Sequence, residues 1–243
     1  MNLVFVQLRT ELRLLLRNGE QLLLIVGIPV LLLVFFGSVD VLPTGDGEPI
    51  DFLVPGIIAV AVMSTSMVSV GISTGFQRSY GVFTRLGLTP LGSTRLIIAK
   101  SLAIAVVEVI QIALIVGVGM AMGWRAEPSG IAAMAVGVAG GTVAFSGIGL
   151  LLAGRLRAEV NLAAQNGLYL VLLLTSGMII DTDSMPSIVD SVSRWLPARC
   201  LADIVRLHAH ADGAGTQSWL TLAIWAVVGP LVAARAFRWS ADS

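Results

Sequence analysis

The chain has 243 residues, of which 56% are hydrophobic and 12% charged, with a mean hydropathy of +0.90. A soluble domain carries about 25% charged residues, so this composition excludes an ordinary soluble globular protein and points to the membrane. The formal net charge of zero gives no global pull toward nucleic acid, and the single cysteine, Cys200, excludes an intrachain disulfide and a cysteine-based metal site.

Residues 1–20 read as an amphipathic helix. Val4, Leu8, Leu12 and Leu15 fall on one side, and Arg9, Arg13 and Arg17 repeat every fourth residue on another. A basic amphipathic helix ahead of a span lies in the interface with its arginines among headgroups. Two readings stand beside each other here: a membrane anchor, and an elbow that also touches a cytoplasmic partner. The apolar run 21–37 is longer than a signal-peptide core, contains Pro29 and has no small-residue cleavage site after it, so it is expected to stay as a first span.

A spanning helix needs about 20 mostly apolar residues. Segments 53–75, 96–122, 131–153, 162–180 and 219–237 meet or approach that length. The expectation is an all-α integral membrane protein of six spans, a single transmembrane domain over 1–243. Alternate flanks carry eleven basic residues against four, which puts both termini in the cytoplasm. Asp40, Asp46, Glu48 and Asp51 all fall in the opposite, second flank.

The long loop 181–218 has its own pattern. Met185, Ile188, Val189, Val192, Trp195 and Leu196 keep helical spacing behind Asp183 or Ser184 as a cap and Pro186 in the first turn. Pro197 opens a second pattern of Cys200, Leu201, Ile204, Val205 and His208. Two short external helices are expected, at the outer interface or dipping between the spans. No internal repeat is visible, which argues against an inverted-repeat transporter.

Catalytic constellations are missing. His208 and His210 read as surface polar residues, no H-E-x-x-H is present, and no span holds a histidine to pair with Ser146 or Ser176. The only lysine, Lys100, follows Ala99, so the chain has no Walker A loop. Glu108 is the one carboxylate deep in a span, with Gln111 one turn on. It reads either as a point on a substrate path or proton site, or as a protonated acid bonded to a neighbouring helix. Asn161, Gln165 and Asn166 are equally ambiguous; Glu108, Gln111 and Asn166 are the candidate substrate contacts. The pairs Gly71/Gly75, Gly119/Gly123 and Gly137/Gly141 give G-x-x-x-G spacing, which permits close helix packing.

The stretch 77–92 between the second and third spans is basic and broken by Gly and Pro. It reads as a short helix from Gln77 to about Leu88, ended by Pro90 and Gly92. Tyr80, Phe83 and Leu88 would be exposed anchors, with Arg78 and Arg85 supplying charge. Docking into a groove on another protein and an ordinary positive loop with aromatics in the headgroup layer both fit this pattern.

The run Gly81-Val82-Phe83-Thr84-Arg85-Leu86-Gly87-Leu88-Thr89-Pro90-Leu91-Gly92, followed by Ala99-Lys100, resembles a loop of the ABC-2-type transporter permeases. These are the membrane subunits of ATP-binding-cassette exporters. Their pattern is roughly G-T-L-E-R-L-x-x-[ST]-P-[LV]-[ST], then Gly-Lys entering the third span. Thr84 stands where the family commonly has Glu, and Ala99 where it often has Gly. The likeness covers nearly the whole chain, including L-P-A-R-C-L-A-D-I-V-R before the last span, and is nearest the drug-resistance and antibiotic-export branch.

This resemblance implies a permease of the bacterial inner membrane that exports a lipophilic or amphipathic compound. It implies no cofactor on this chain: ATP and Mg would bind a separate ATPase subunit, two copies per complex. A second permease, identical or related, would face this one across the path, in contact with membrane lipid and without nucleic acid. Arg78, Tyr80, Phe83, Arg85, Leu86, Thr89 and Pro90 would couple the chain to the ATPase. The alternative is an ion-coupled secondary transporter or channel that uses Glu108.

Overall fold

The computed structural model describes residues 3–39, 49–125, 128–179, 186–206 and 215–238. His208 and His210, the expected cap at Asp183 or Ser184, Met185, and the acidic Asp40, Asp46 and Glu48 lie outside them. Among the described residues the chain is helical throughout, without a strand.

The helix α1 (Leu3–Arg17) leads into α2 (Gly19–Ser38) through Asn18, whose side chain accepts from Gln21 N at 3.3 Å and caps the new helix. One long rod follows: α3 (Pro49–Met63), a π-helical turn (Ser64–Ser69) and α4 (Val70–Ser79). The short α5 (Val82–Gly87) precedes α6 (Gly92–Ala121) and α7 (Pro128–Arg155). Then come α8 (Ala158–Thr175), α9 (Ser187–Ser193), α10 (Pro197–Val205) and α11 (Thr216–Ala236).

Five of these are long and apolar enough to cross a membrane: α2, the α3–α4 rod, α6, α7 from Gly130, and α11. The expected span 162–180 is occupied by α8, which starts earlier and stops sooner. Its 18 residues include Asn161, Gln165 and Asn166 in the first half, and these amides keep it below the apolarity of the other five.

The α3–α4 rod is the core of the molecule, with every residue from Leu53 to Met63 buried. The α2, α6, α7, α8 and α10 helices all pack against it. Helices in lipid gain no hydrophobic advantage by meeting each other; close packing and hydrogen bonds hold them. Gly147 of α7 illustrates the packing, since a Cβ there would stand 2.5 Å from Pro230 N and 2.6 Å from Gly229 C of α11. The Gly71/Gly75 notch of α4 is filled by amides of α8: Asn161 donates to Gly71 O at 2.9 Å and Gln165 to Gly149 O at 2.9 Å.

The α10 helix dips between α3, α7 and α11, and Ala198, Cys200, Leu201, Ala202, Ile204 and Val205 are all buried. Its carboxylate, Asp203, is paired on the way in. Arg199 Nε lies 2.9 Å from Asp203 Oδ1, and Ser218 donates to Asp203 Oδ2 at 3.0 Å. Burial holds the Asp203 carboxyl above its usual range, with Arg199 opposing the shift. Arg206 ends the helix by donating to the carbonyls of Gly177 and Met178, and its guanidinium stacks 3.8 Å from the Phe52 ring.

Candidate functional site

The candidate coupling residues gather at the tip formed by α5, and one candidate substrate contact, Asn166, lines a groove beside α2. At the tip, the chain turns out of α4 at Tyr80 and Gly81, whose φ of 70° is a left-handed conformation that glycine adopts freely. Thr89 closes the far end by donating its hydroxyl to Leu86 O at 2.6 Å. The tip therefore has a fixed shape with two faces. Tyr80 is 77% exposed and Leu88 89% exposed, and Thr84, Arg85, Thr89 and Pro90 share their exposure. Leu86 is half-buried.

Arg78 and Phe83 belong to the inner side. Phe83, expected as an exposed anchor, is fully buried and meets the Phe237 ring edge-on at 5.5 Å. Arg78 donates to Ala153 O and Leu156 O, both at 3.1 Å, and so caps the carbonyl end of α7. A local reading of a basic, Gly/Pro-broken stretch could not distinguish these two from their neighbours, because Ala153, Leu156 and Phe237 reach them from other elements far along the chain.

Beneath the tip lies a cluster that the candidate residues read from the sequence do not include. Lys100 Nζ lies 3.0 Å from Glu11 Oε2 and donates to Gln77 Oε1 at 2.9 Å, and Gln7 donates to Glu11 Oε1 at 2.8 Å. The signal was available in α1: Gln7 and Glu11, one turn apart, interrupt the side that carries Val4, Leu8 and Leu15.

The groove has a volume of about 720 Å³ and is open to one side of the molecule. Leu24, Ile28 and Pro29 of α2 form one wall, Ser64, Ser69 and Ser73 of the rod the floor, and Asn166 and Tyr169 of α8 the other wall. It is an apolar slot with a line of hydroxyls and amides along its floor, a pattern common to small-molecule sites. The floor contains the π turn, where Ser64 and Ser66 donate back to Ala61 O at 3.1 Å and Val62 O at 2.5 Å. Such back-bonds compete with the helical ladder and favour the wider turn.

The three candidate substrate contacts do not converge. Asn166 is exposed on the groove wall. Gln111 is buried, donating to Ile25 O at 2.6 Å and accepting from Thr65 Oγ1 at 3.2 Å. Glu108 points the other way, into a buried contact with Thr142 of α7. Thr142 also lies 2.9 Å from Val138 O, so its single hydroxyl proton has two acceptors within reach. Glu108 Oε1 and Ser146 Oγ, both buried, have no hydrogen-bond partner among the described residues. No cluster of metal-ligating side chains occurs among the described residues.

The model of the ABC-2 type transporter family matches residues 2–207, a stretch that contains α1, the tip, the cluster around Lys100 and the groove. The chain belongs to the ABC-2 type transporter family. It is also similar to a protein of Bacillus subtilis (strain 168) named "Putative transport permease YvfS", with 26% identity over 201 residues that cover 82% of each chain. Membership in the ABC-2 family, together with the apolar helices, makes this a multi-pass membrane protein. It is a transport subunit rather than an enzyme, and the family implies an ATP-binding-cassette ATPase as its partner.

Proposed function

We propose that this ABC-2 chain is the permease of an exporter in which a separate ATPase subunit, two copies per complex, binds ATP and Mg and drives the cycle. The ATPase docks on the exposed face of the tip, where Tyr80, Arg85, Leu88, Thr89 and Pro90 stand out from a buried foot at Phe83. The observation that carries this reading is that arrangement: large apolar and basic side chains held outward on a rigid, glycine-hinged turn, in a family that works with an ATPase. Both termini are cytoplasmic in this reading, the membrane is the bacterial inner membrane, and α8 is the sixth span.

The path runs along the groove between α2, the π turn and α8, closed from its open side by a second permease, identical or related. Its apolar walls and hydroxyl-lined floor suit a lipophilic or amphipathic cargo such as a drug, an antibiotic or a lipid-like molecule. The test is purification of the tagged chain in mild detergent from its native host, with mass spectrometry of co-purifying proteins and an ATPase assay. A stoichiometric P-loop protein with ATP turnover is the expected result. A solitary chain without ATPase activity would sink the proposal and favour an ion-coupled transporter.

A further inference from the structure

Lys100 is the only lysine in the chain, and its side chain is 4% exposed. It is rooted in α6, and its ammonium touches three other elements: Glu11 of α1 at 3.0 Å, Gln77 of α4 at 2.9 Å, and the Phe83 ring of α5 at 5.5 Å from the centroid. Gln7 holds the second Glu11 oxygen. A buried ion pair is a poor choice for stability alone, because apolar side chains of similar volume commonly serve as well. What such a cluster adds is direction. Its contacts are short and angle-dependent, so a shift of one member displaces the rest.

The members are placed for that purpose. Phe83 is the buried foot beneath the exposed Tyr80, Arg85 and Leu88. Glu11 sits on α1, which passes through Asn18 into α2, and α2 forms a wall of the groove. Glu11 and Lys100 are 89 residues apart in sequence, so nothing local obliges α1 to move with the tip.

We propose that Lys100, with Glu11 and Gln77, is a positioning joint that makes α1 follow α5, passing a displacement at the tip to the helix leading into the groove wall. The joint rests on the reading of the tip as the ATPase docking point.

The test is hydrogen–deuterium exchange of the complex co-purified with its ATPase, nucleotide-free and trapped with ADP and vanadate. In the wild-type complex, peptides over both α5 and α1 should change protection on trapping. In the volume-conserving double variant Glu11→Leu with Lys100→Met, the α5 response should persist and the α1 response should be lost. Lys100→Arg, which retains the charge, should keep both. A double variant whose α1 still responds like wild type overturns the joint. So does one whose α1 loses protection equally in both nucleotide states, because the cluster would then be an anchor only. If no ATPase co-purifies, or the wild-type α5 shows no response, the docking reading falls and the joint falls with it.

Discussion

Gln111 reaches out of α6 and donates its side-chain amide to the carbonyl of Ile25 in α2 at 2.6 Å. That carbonyl lies four residues before Pro29, which has no N–H to give it. In lipid an unpaired backbone group is costly, and proline is tolerated in a span where a neighbouring helix supplies the missing donor. Gln111→Leu should lower stability by about 1–3 kcal/mol, the cost of an unsatisfied buried polar group. Pro29→Ala restores the N–H, so the same substitution in that background should cost less. Thermal unfolding of the four proteins in detergent measures the cycle, and additive effects would contradict the pairing.

Glu108 should tolerate amidation. Glu108→Gln keeps a side-chain oxygen that can accept from Thr142 and is expected to retain folding and transport. Glu108→Ala removes buried volume and should destabilise by about 2 kcal/mol or more. Expression, unfolding temperature and ATP-driven transport read the difference. A well-folded Glu108→Gln protein without transport would instead make the carboxyl a working proton site.

Two glycines, one in α7 and one in α8, should behave in opposite ways. Gly147→Ala drives a methyl group into the backbone of Gly229 and Pro230 and should prevent α11 from seating, seen as loss of folded protein in a size-exclusion assay. Gly167 has nothing within 4 Å of an added Cβ. Gly167→Ala should be neutral or stabilise α8 by up to about 1 kcal/mol through helix propensity.

At the tip, the exposed and buried residues should separate by assay. Tyr80→Ala with Leu88→Asp should leave the unfolding temperature within a degree or so of wild type, as surface changes usually do, while weakening ATPase association in a pull-down. Phe83→Ala removes a fully buried ring and should cost about 3–5 kcal/mol. It should loosen the tip even in the isolated permease, detectable as faster proteolysis near Arg85.

Cys200 should be inert until the protein unfolds. It is fully buried in α10, and burial pushes its thiol up to about 12, so almost no thiolate exists at neutral pH. Maleimide labelling at pH 7.5 should be absent in the native protein and complete in denaturant. Rapid native labelling would show that α10 is not seated between the spans.

The periodic elements were legible because apolar length and spacing are local properties. The run 21–37 became α2 with little change, and Ile188, Val189 and Val192 do lie on a helix. The π turn left no comparable mark: Ser64, Thr65 and Ser66 look like ordinary polar breaks in a span until their hydroxyls are seen bonding backward. The G-x-x-x-G of Gly71 and Gly75 announced close packing without saying that amides, rather than another backbone, would fill it. Phe83 was misplaced because its partners, Phe237 and Lys100, come from other elements. The cap at Arg78 depends on the same kind of long-range pairing, and for the cluster at Lys100 the local stretch offers only the Gln7/Glu11 interruption of α1, without the partner it meets.

The filled notch has a consequence for biogenesis. Synthesis proceeds from the amino end, so α4 reaches the bilayer 90 residues before Asn161 exists to donate to the Gly71 carbonyl. During that interval lipid must fill the notch, and the nascent rod lacks the polar clasp that later fixes its rotation. A ribosome-stalled chain ending before Ala158 should therefore hold α4 loosely, and extending it past Gln165 should lock the helix in place. Insertion and tertiary closure should then prove separable in this protein, the second waiting for α8.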